Sequence, residues 1–248
     1  HRIMTDTPSE NRPRMPATPL EALGPSRREQ VFIDDRVFLL DRPSESDRML
    51  NHPQVMETFA FDEYIPYWAD LWPAARMLAK WIFRQPAWPG GLQALEIGCG
   101  LGLPGIVALS RGVRVTFSDY DATALDYAAN NARLNGFSDF DTLQLDWRYP
   151  PRERKFPLLL AADLIYEARN VEPLVGLIRD LLAPTGVCLL TDQDRVSSHI
   201  LKQQLERDGL PFTTSVIRAG EPGGHRVKGT IYRIRHAEGQ DPLPVATE

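Results

Sequence analysis

The feature that most constrains this chain is the stretch of residues 95–105, which reads LEIGCGLGLPG. A mostly apolar run at residues 92–97 leads into four glycines, and the apolar pattern IVAL follows them. Glycine adopts backbone conformations that other residues avoid, so this order indicates a strand, a tight turn and a helix start. The helix N-terminus then points unpaired N–H groups at whatever approaches the turn. The stretch therefore predicts a strand–turn–helix unit that binds a nucleotide-type ligand.

Strands and helices alternate from residue 92 onward, which predicts an α/β fold with a mostly parallel sheet and right-handed crossovers. The strands are expected at 92–97, 113–118, 142–146, 156–162 and 187–191, and the helices at 103–110, 122–134, 171–182 and 196–208. The fourth strand is nearly all apolar, as expected for a strand buried on both faces. Two late strands, at 212–218 and 229–235, have only a loop between them, so they pair antiparallel or lie apart.

The part of the chain before the glycine turn carries weaker signals. Residues 29–41 indicate a β-hairpin, and 44–50 indicate a short helix capped by Ser44. Trp68 and Trp72 lie four residues apart and would share one face of a helix, while Pro73 suits the first turn of the helix that follows.

These signals divide the chain into three parts. We expect a flexible segment at 1–27, which is rich in proline, serine and charge, and a flexible tail at 238–248. A single domain at 28–237 begins with the hairpin and helix of residues 28–90.

Composition excludes several classes of protein. The net charge is -5, which argues against a general nucleic-acid binder. No apolar run is long enough to span a bilayer, and the N-terminus lacks the apolar core of a signal peptide, so we expect a cytoplasmic protein without membrane attachment. Cys99 and Cys188 have no metal-site spacing, so no metal is expected, and Cys99 is interpreted as a small filler of the turn.

Two ligands compete for the glycine turn. Gly100, Gly102 and Gly105 match the GxGxxG pattern of proteins that bind NAD or FAD. Counted from Glu96, however, the pattern is ExGxGxG, and an acidic group there would repel a pyrophosphate. S-adenosylmethionine carries an ammonium and a sulfonium and has no phosphate. Glu96 therefore favours S-adenosylmethionine.

Acidic residues also end the next two strands. Asp119, at the end of the second strand, can accept hydrogen bonds from both ribose hydroxyls, although a helix cap is the alternative, a role that Asp121 can fill instead. Asp146 and Trp147 follow the third strand, where a carboxylate and an indole can hold an adenine. The alternative for Trp147 is packing against the edge of the sheet.

The fourth strand ends in Ala161, Ala162 and Asp163. Residues just past the carboxyl ends of parallel strands line the ligand crevice of open α/β sheets. Asp163 is therefore predicted to lie over the reacting end of the ligand, where the small alanines leave room. A helix cap is again the alternative.

The motifs EIGCGLG, SDYD, LDW and ADLIYE, preceded by PYWADLWPAA, together resemble the class I, seven-β-strand S-adenosylmethionine-dependent methyltransferases. More narrowly they resemble methyltransferase family 16, the protein lysine methyltransferases whose bacterial members are often labelled nicotinamide N-methyltransferase-like. The resemblance covers about residues 29–236. It implies a Rossmann-like sheet of strand order 3-2-1-4-5-7-6, with strand seven antiparallel and helices on both faces, preceded here by the short hairpin.

The resemblance also implies roles for residues that match the family's motifs. The cofactor-binding set it implies is Trp72, Glu96, Gly98, Gly100, Gly102, Asp119, Tyr120, Asp146, Trp147 and Ala162. Asp163 and Tyr166 correspond to a DxxY motif at the acceptor and would be catalytic. The cofactor would be S-adenosyl-L-methionine and the product S-adenosyl-L-homocysteine.

The expected reaction transfers a methyl group to an amine nitrogen, most specifically a protein lysine, in a monomeric enzyme. Asp163 would orient the amine and Tyr166 would hydrogen-bond or flank it, with aromatic walls from Tyr64, Tyr67 and Trp68 or, equally, with those three rings in the core. The alternatives are a small-molecule N-methyltransferase on the same fold, an NAD-linked oxidoreductase, and a binding module without catalytic activity. The NPPY-type motif of many nucleic-acid and glutamine methyltransferases is absent at 163–166.

Overall fold

The protein is an α/β domain built on one large twisted sheet and a separate hairpin, as seen in a computed structural model that describes residues 2–4, 15–151, 153–221 and 223–244. The strands are β1 Arg2–Met4, β2 Ser26–Ile33, β3 Arg36–Pro43, β4 Gln93–Ile97, β5 Arg114–Asp119, β6 Asp141–Gln144, β7 Phe156–Ala162, β8 Leu182–Asp192, β9 Phe212–Ala219 and β10 Val227–Ile234. The helices are α1 Leu20–Leu23, α2 Ser46–Met49, α3 Pro53–Asp62, α4 Pro73–Arg84, α5 Leu103–Ser110, α6 Ala122–Leu134, α7 Val171–Leu181 and α8 Ser198–Arg207.

The large sheet has the order β1-β6-β5-β4-β7-β8-β10-β9. The seven predicted strands are β4 to β10, so the expected order 3-2-1-4-5-7-6 is confirmed. β10 pairs antiparallel with both β8 and β9, and the remaining pairs are parallel, which confirms the antiparallel seventh strand. β1 adds a further parallel strand beside β6 that we did not expect.

Helices cover both faces of this sheet, and the side chains of β7 show why the strand is apolar throughout. Leu158 and Leu160 point into a core that contains residues of α4, α5 and α6. Leu159 and Ala161 point into a second core, formed with α7 and α8. Alternate residues of a strand face opposite sides of the sheet, so a strand between two helical layers needs apolar residues at every position.

The predicted hairpin is confirmed as β2 and β3. It is fixed to the main domain by two asparagines of α6. Asn131 accepts from the Asp41 backbone N–H at 2.7 Å and donates to its carbonyl at 3.1 Å. Asn135 does the same with Leu39, at 2.9 and 2.7 Å. The amide side chains thus pair with the outer edge of β3 as another strand would.

Both end segments that were expected to be flexible contain residues that pack onto the domain. Residues 15–27 pack onto the domain, because Ala22 and Leu23 are buried and the Thr18 backbone donates to Asp121 at 2.9 Å. Leu243 in the tail is buried, and Arg233 forms an ion pair with Asp241. The other parts of these two expectations, at residues 1, 5–14 and 245–248, lie outside the described residues.

Two further local expectations were wrong, and one helix was missed. The short helix α2 begins after Glu45, and Ser44 does not cap it. α3 was not predicted at all. Trp68 lies in a 3-10 turn, Tyr67–Ala69, and Trp72 directly precedes α4, so the two indoles do not share a helix. In the described part of the chain, no helix is long and apolar enough to cross a membrane.

Candidate functional site

A cavity of about 630 Å³ opens at the carboxyl ends of β4, β5, β6 and β7. Parallel strands end at the same edge of a sheet, so the polar residues that follow them converge there. All twelve residues predicted for the site line this one cavity: Trp72, Glu96, Gly98, Gly100, Gly102, Asp119, Tyr120, Asp146, Trp147, Ala162, Asp163 and Tyr166. The structure therefore brings together the whole set that the sequence suggested.

The glycine turn forms the floor of the cavity. Gly98 has φ 58°, a left-handed conformation, and a Cβ added there would lie 2.5 Å from Leu164 Cδ2. The Gly100 N–H donates to Asp119 at 2.9 Å, which holds the turn against the neighbouring strand end. Burial raises the pKa of the Cys99 thiol well above its ordinary value, as do Asp119 and Glu96. This disfavours the thiolate, in agreement with the interpretation of Cys99 as a small buried filler of the turn.

Glu96 lies buried beneath the turn. Its Oε2 accepts a hydrogen bond from the Gly105 N–H, in the first turn of α5, at 3.0 Å. Burial raises the pKa of the Glu96 carboxyl well above its ordinary value, although the Gly105 bond opposes this. The residue therefore fixes the start of the helix, and it also lines the cavity.

Gly105 has no room for a side chain, which yields a first prediction. A Cβ there would lie 2.4 Å from Glu96 Oε2 and 2.5 Å from a ring carbon of Phe117. Gly105→Ala should lower the free energy of unfolding by about 1–3 kcal/mol, the usual cost of overpacking a core. Chemical denaturation measures this directly.

Gly176→Ala is the matched control, because the nearest atom to its added Cβ is Arg179 Nη2 at 3.8 Å. Within α7 that change should stabilise the fold by about 0.5–1 kcal/mol. Equal effects of the two alanines would contradict the packing argument.

Asp119 and Asp121 have separate roles at the end of β5. Asp121 caps α6 by accepting from the Thr123 N–H at 2.8 Å, so the helix-cap alternative belongs to it. Asp119 accepts instead from the backbone N–H groups of Gly100 and Asp121, at 2.9 and 3.1 Å. Burial raises the pKa of the Asp119 carboxyl to about 6. Asp119 is thus a carboxylate on the cavity wall, in the position expected for ribose binding.

The end of the cavity expected to hold adenine contains a charged cluster. Arg148 donates to both oxygens of Asp146, at 2.8 and 2.7 Å, and to Asp62 at 2.9 Å. Tyr120 donates its hydroxyl to Asp62 and accepts from Arg148 at 2.8 Å. The indole of Trp147 lies beside this cluster and packs against the second core.

The acceptor end is built around Asp163. Its backbone is left-handed, with φ 57°, and its carboxylate accepts from Arg195 Nε and Nη2, both at 3.1 Å, and from Gln193 at 2.7 Å. The Arg195 guanidinium also lies 6.0 Å from the centre of the Trp72 ring. Asp163 is therefore an ion-paired side chain, and an amine that it orients has to share it with Arg195.

Aromatic rings form the wall next to Asp163. Tyr67 makes an edge contact with Tyr166, with ring centres 5.1 Å apart, and another with Trp72 at 6.0 Å. Burial raises the pKa of Tyr166 to about 12, helped by nearby Glu167, so its hydroxyl keeps its proton. Trp68 is buried and donates to Asp121 at 3.2 Å, as does Tyr64 at 3.1 Å, so these two rings also serve the packing of the domain.

Sequence reasoning missed Arg148 and Arg195. Each follows a strand of the sheet by a few residues, β6 and β8 respectively, so strand ends were the signal that could have found them. Eight Asp and Glu side chains and three Arg side chains line the cavity. A ligand with positive charge, such as S-adenosylmethionine, fits this lining. No group of His, Cys, Asp and Glu able to hold a metal ion was found among the described residues.

Comparison with known proteins gives the family. Residues 67–206, more than half of the chain, match a family model described as lysine methyltransferase. The chain is 28% identical to the EEF1A lysine methyltransferase 3 of Mus musculus over 229 residues, 87% of this chain and 94% of that protein. It is 31% identical to the histidine protein methyltransferase 1 homolog of Dictyostelium discoideum over 130 residues, 50% of this chain and 42% of that protein. It spans about half the length of several curated relatives that it matches.

Solved structures support the same fold. The N-methyltransferase NodS of Bradyrhizobium japonicum WM9, crystallised with S-adenosyl-l-homocysteine, is similar with a TM-score of 0.54 and 18% identity, covering 74% of this chain and 96% of that one. At such an identity the likeness concerns the fold alone. The strand order, the glycine turn and the family match agree. The chain therefore belongs to the lysine methyltransferase family, within the class I S-adenosylmethionine-dependent methyltransferases.

Proposed function

We propose that this protein transfers a methyl group from S-adenosylmethionine to a nitrogen of a protein side chain, most specifically a lysine. The observation that carries this proposal is the acidic cavity at the strand ends, with the glycine turn at one side and the Tyr67, Trp72 and Tyr166 rings at the other. We further propose that the protein acts as a monomer in the cytoplasm, with S-adenosylhomocysteine as its product.

Different residues of the cavity would bind different parts of the cofactor. When bound, S-adenosylmethionine supplies a methyl group on a positively charged sulfur, which a neutral amine can accept. Asp119 would accept from the ribose hydroxyls, and Asp146, Trp147 and Tyr120 would enclose the adenine. Glu96, the glycine turn and Trp72 would surround the methionine part. Alignment of this kind removes much of the entropic barrier to a displacement reaction.

The acceptor end of the cavity has to hold the amine of the acceptor in its uncharged form, because only an uncharged nitrogen can attack the methyl group. A free lysine has a pKa of about 10.4, and burial against apolar walls lowers it. The rings of Tyr67, Trp72 and Tyr166 supply such walls and attract an alkylammonium by cation–π contact. Tyr166 would hydrogen-bond the amine through its protonated hydroxyl. Asp163, held by Arg195, would orient the amine and would not itself serve as a free base.

The acceptor is tested by incubating the enzyme and methyl-labelled S-adenosylmethionine with protein extract of the source organism and, separately, with a panel of small amines. We expect label in a protein and, after proteolysis and mass spectrometry, on a lysine. Asp163→Ala should abolish most of this labelling, whereas Asp139→Ala, at an exposed loop residue that does not line the cavity, should leave it intact.

Each alternative has its own outcome. Label only in small amines would refute the protein acceptor and support the small-molecule alternative. Calorimetry that detects NAD binding and no binding of S-adenosylmethionine would refute the cofactor. Cofactor binding without any transfer, under all acceptor conditions, would support a binding module.

A further inference from the structure

The helix α3 is a ten-residue element with little attachment to the rest of the domain. Of its described residues only Val55 is buried, whereas α4 buries six. An isolated helix of this length is marginal in water and normally depends on burying an apolar stripe. α3 instead leaves Met56, Phe59 and Phe61 exposed, by 58%, 46% and 83%. Large exposed apolar side chains grouped on one element typically mark a surface that another molecule covers.

The position of α3 links it to the cavity. Its last residue, Asp62, and the following Glu63 both line the cavity mouth. Asp62 is paired with Arg148 at 2.9 Å, and Arg169 is paired with Glu63 and Glu167. The carboxyl end of α3 therefore lies at the cavity, and the exposed Phe61 directly precedes the two residues that line it.

The charge around this entrance restricts what can dock there. Glu57 is exposed on α3 itself, and the cavity beyond it is lined by eight Asp and Glu side chains against three Arg. Tyr67 and Tyr166, each 36% exposed, contact each other and add two aromatic rings to the lining of the cavity. A partner that carries apolar side chains together with positive charge is complementary to this surface, and an acidic partner is repelled.

We propose that α3 is the docking surface for the protein acceptor, and that the docked segment of the acceptor is apolar and basic. This rests on the proposed methylation of a protein. Phe61, Phe59 and Met56 contact the apolar side chains of the acceptor, and the acidic entrance attracts its positive charge. The pocket then receives the side chain that is methylated.

The test compares two sets of surface substitutions. The first replaces Met56, Phe59 and Phe61 together by serine. The matched control replaces Phe32 and Val216 by serine, because these are also exposed apolar residues, by 41% and 60%, and lie on β2 and β9. The protein acceptor in these assays is the protein that the wild-type enzyme labels in the extract, used in purified form. A short peptide that contains its labelled residue serves as the minimal acceptor.

We expect the α3 variant to raise KM for the protein acceptor about tenfold, as loss of a few central apolar contacts does at protein interfaces. Its kcat and its affinity for S-adenosylmethionine should stay within twofold, and KM for the short peptide should be unchanged. The control variant should match the wild type throughout. An unchanged KM for the protein acceptor would overturn the proposal.

A second pair of variants tests the charge of the surface and leaves the apolar side chains of α3 in place. Glu57→Lys should raise KM for the protein acceptor several-fold at low salt, and the difference should shrink as salt is added. Glu206→Lys, on an exposed site of α8, is its control. Equal effects of the two lysines, or none, would refute the charge part of the proposal.

Crosslinking identifies what occupies the surface. With the photo-crosslinker benzoylphenylalanine in place of Phe61, the crosslinked protein should be the same one that is methylated. With benzoylphenylalanine in place of Val216, this crosslinked product should not form. Crosslinks to a second copy of this chain, with a dimer in light scattering that the α3 variant loses, would overturn the proposal. If the wild type labels no protein at all, the proposed function fails. If it labels a protein and the α3 variant labels it equally well, only the docking surface fails.

Discussion

Replacing Asp119 by alanine is expected to weaken binding of S-adenosylmethionine about 10- to 100-fold, the largest effect on cofactor binding that the site predicts. Hydrogen bonds to a charged group contribute about 1.5–3 kcal/mol each, and every 1.4 kcal/mol is about tenfold in affinity. Asp119 would make such bonds with the ribose, and it also orders the turn through the Gly100 N–H. Isothermal titration calorimetry measures the change. Asp139→Ala, an exposed carboxylate, should leave affinity unchanged.

The pH dependence of binding provides a second measure of the same group. Folding raises the pKa of Asp119 from 3.8 to about 6, so the folded protein without ligand loses stability from this group as pH rises from about 4 to 6. Binding of S-adenosylmethionine should depend on pH in the opposite direction, because only the ionised Asp119 carboxylate accepts hydrogen bonds from both ribose hydroxyls. Affinity for S-adenosylmethionine should therefore fall as pH drops below about 6, and the fall should be missing in Asp119→Asn. An identical pH profile in that variant would show that another group titrates.

Replacing Asp121 by alanine should lower the free energy of unfolding by about 3 kcal/mol or more, the largest effect on stability that we expect. Its fully buried carboxylate caps α6 and accepts from Thr18, Tyr64 and Trp68. Loss of a cap costs about 1–2 kcal/mol, and each buried donor left unpaired costs about 1–3 kcal/mol. Thermal and chemical unfolding both measure the change.

The control for this substitution is Asp126→Ala, an exposed carboxylate on the same helix. Asp121→Asn should cost less than Asp121→Ala, because its amide oxygen still accepts. If alanine at 121 cost no more than alanine at 126, Thr18, Tyr64 and Trp68 would not depend on this carboxylate.

The sheet was predictable because its signals are local. β7 is apolar at nearly every position, since both faces are covered, and α6 begins after an Asp cap and ends before Gly136. These patterns placed β7 and α6 at their observed bounds. The strand order came from the family resemblance, because hydrophobic periodicity does not say which strands are neighbours.

Glu96, Asp119, Asp146 and Asp163 were predicted from their places at strand ends, because the strand ends of a parallel sheet meet at one edge, whereas Trp72, Tyr120 and Tyr166 came from the family resemblance. The ion-pair partner of each carboxylate was not predictable. Arg148 reaches Asp62 across 86 positions and Arg195 reaches Asp163 across 32, and no local pattern encodes such pairs. α3 escaped prediction for a related reason: its apolar residues do not follow the stripe of a packed helix, since most of them face away from the core.

The two asparagines of α6 that bond to β3 have a consequence for solubility. An outer strand with unpaired N–H and C=O groups is a template on which another chain can add a strand, and this is a common route to aggregation. Asn131 and Asn135 occupy the donors and acceptors of Leu39 and Asp41 on that edge. The hairpin is thereby closed to intermolecular β-pairing along this edge, by side chains that belong to the helix behind it.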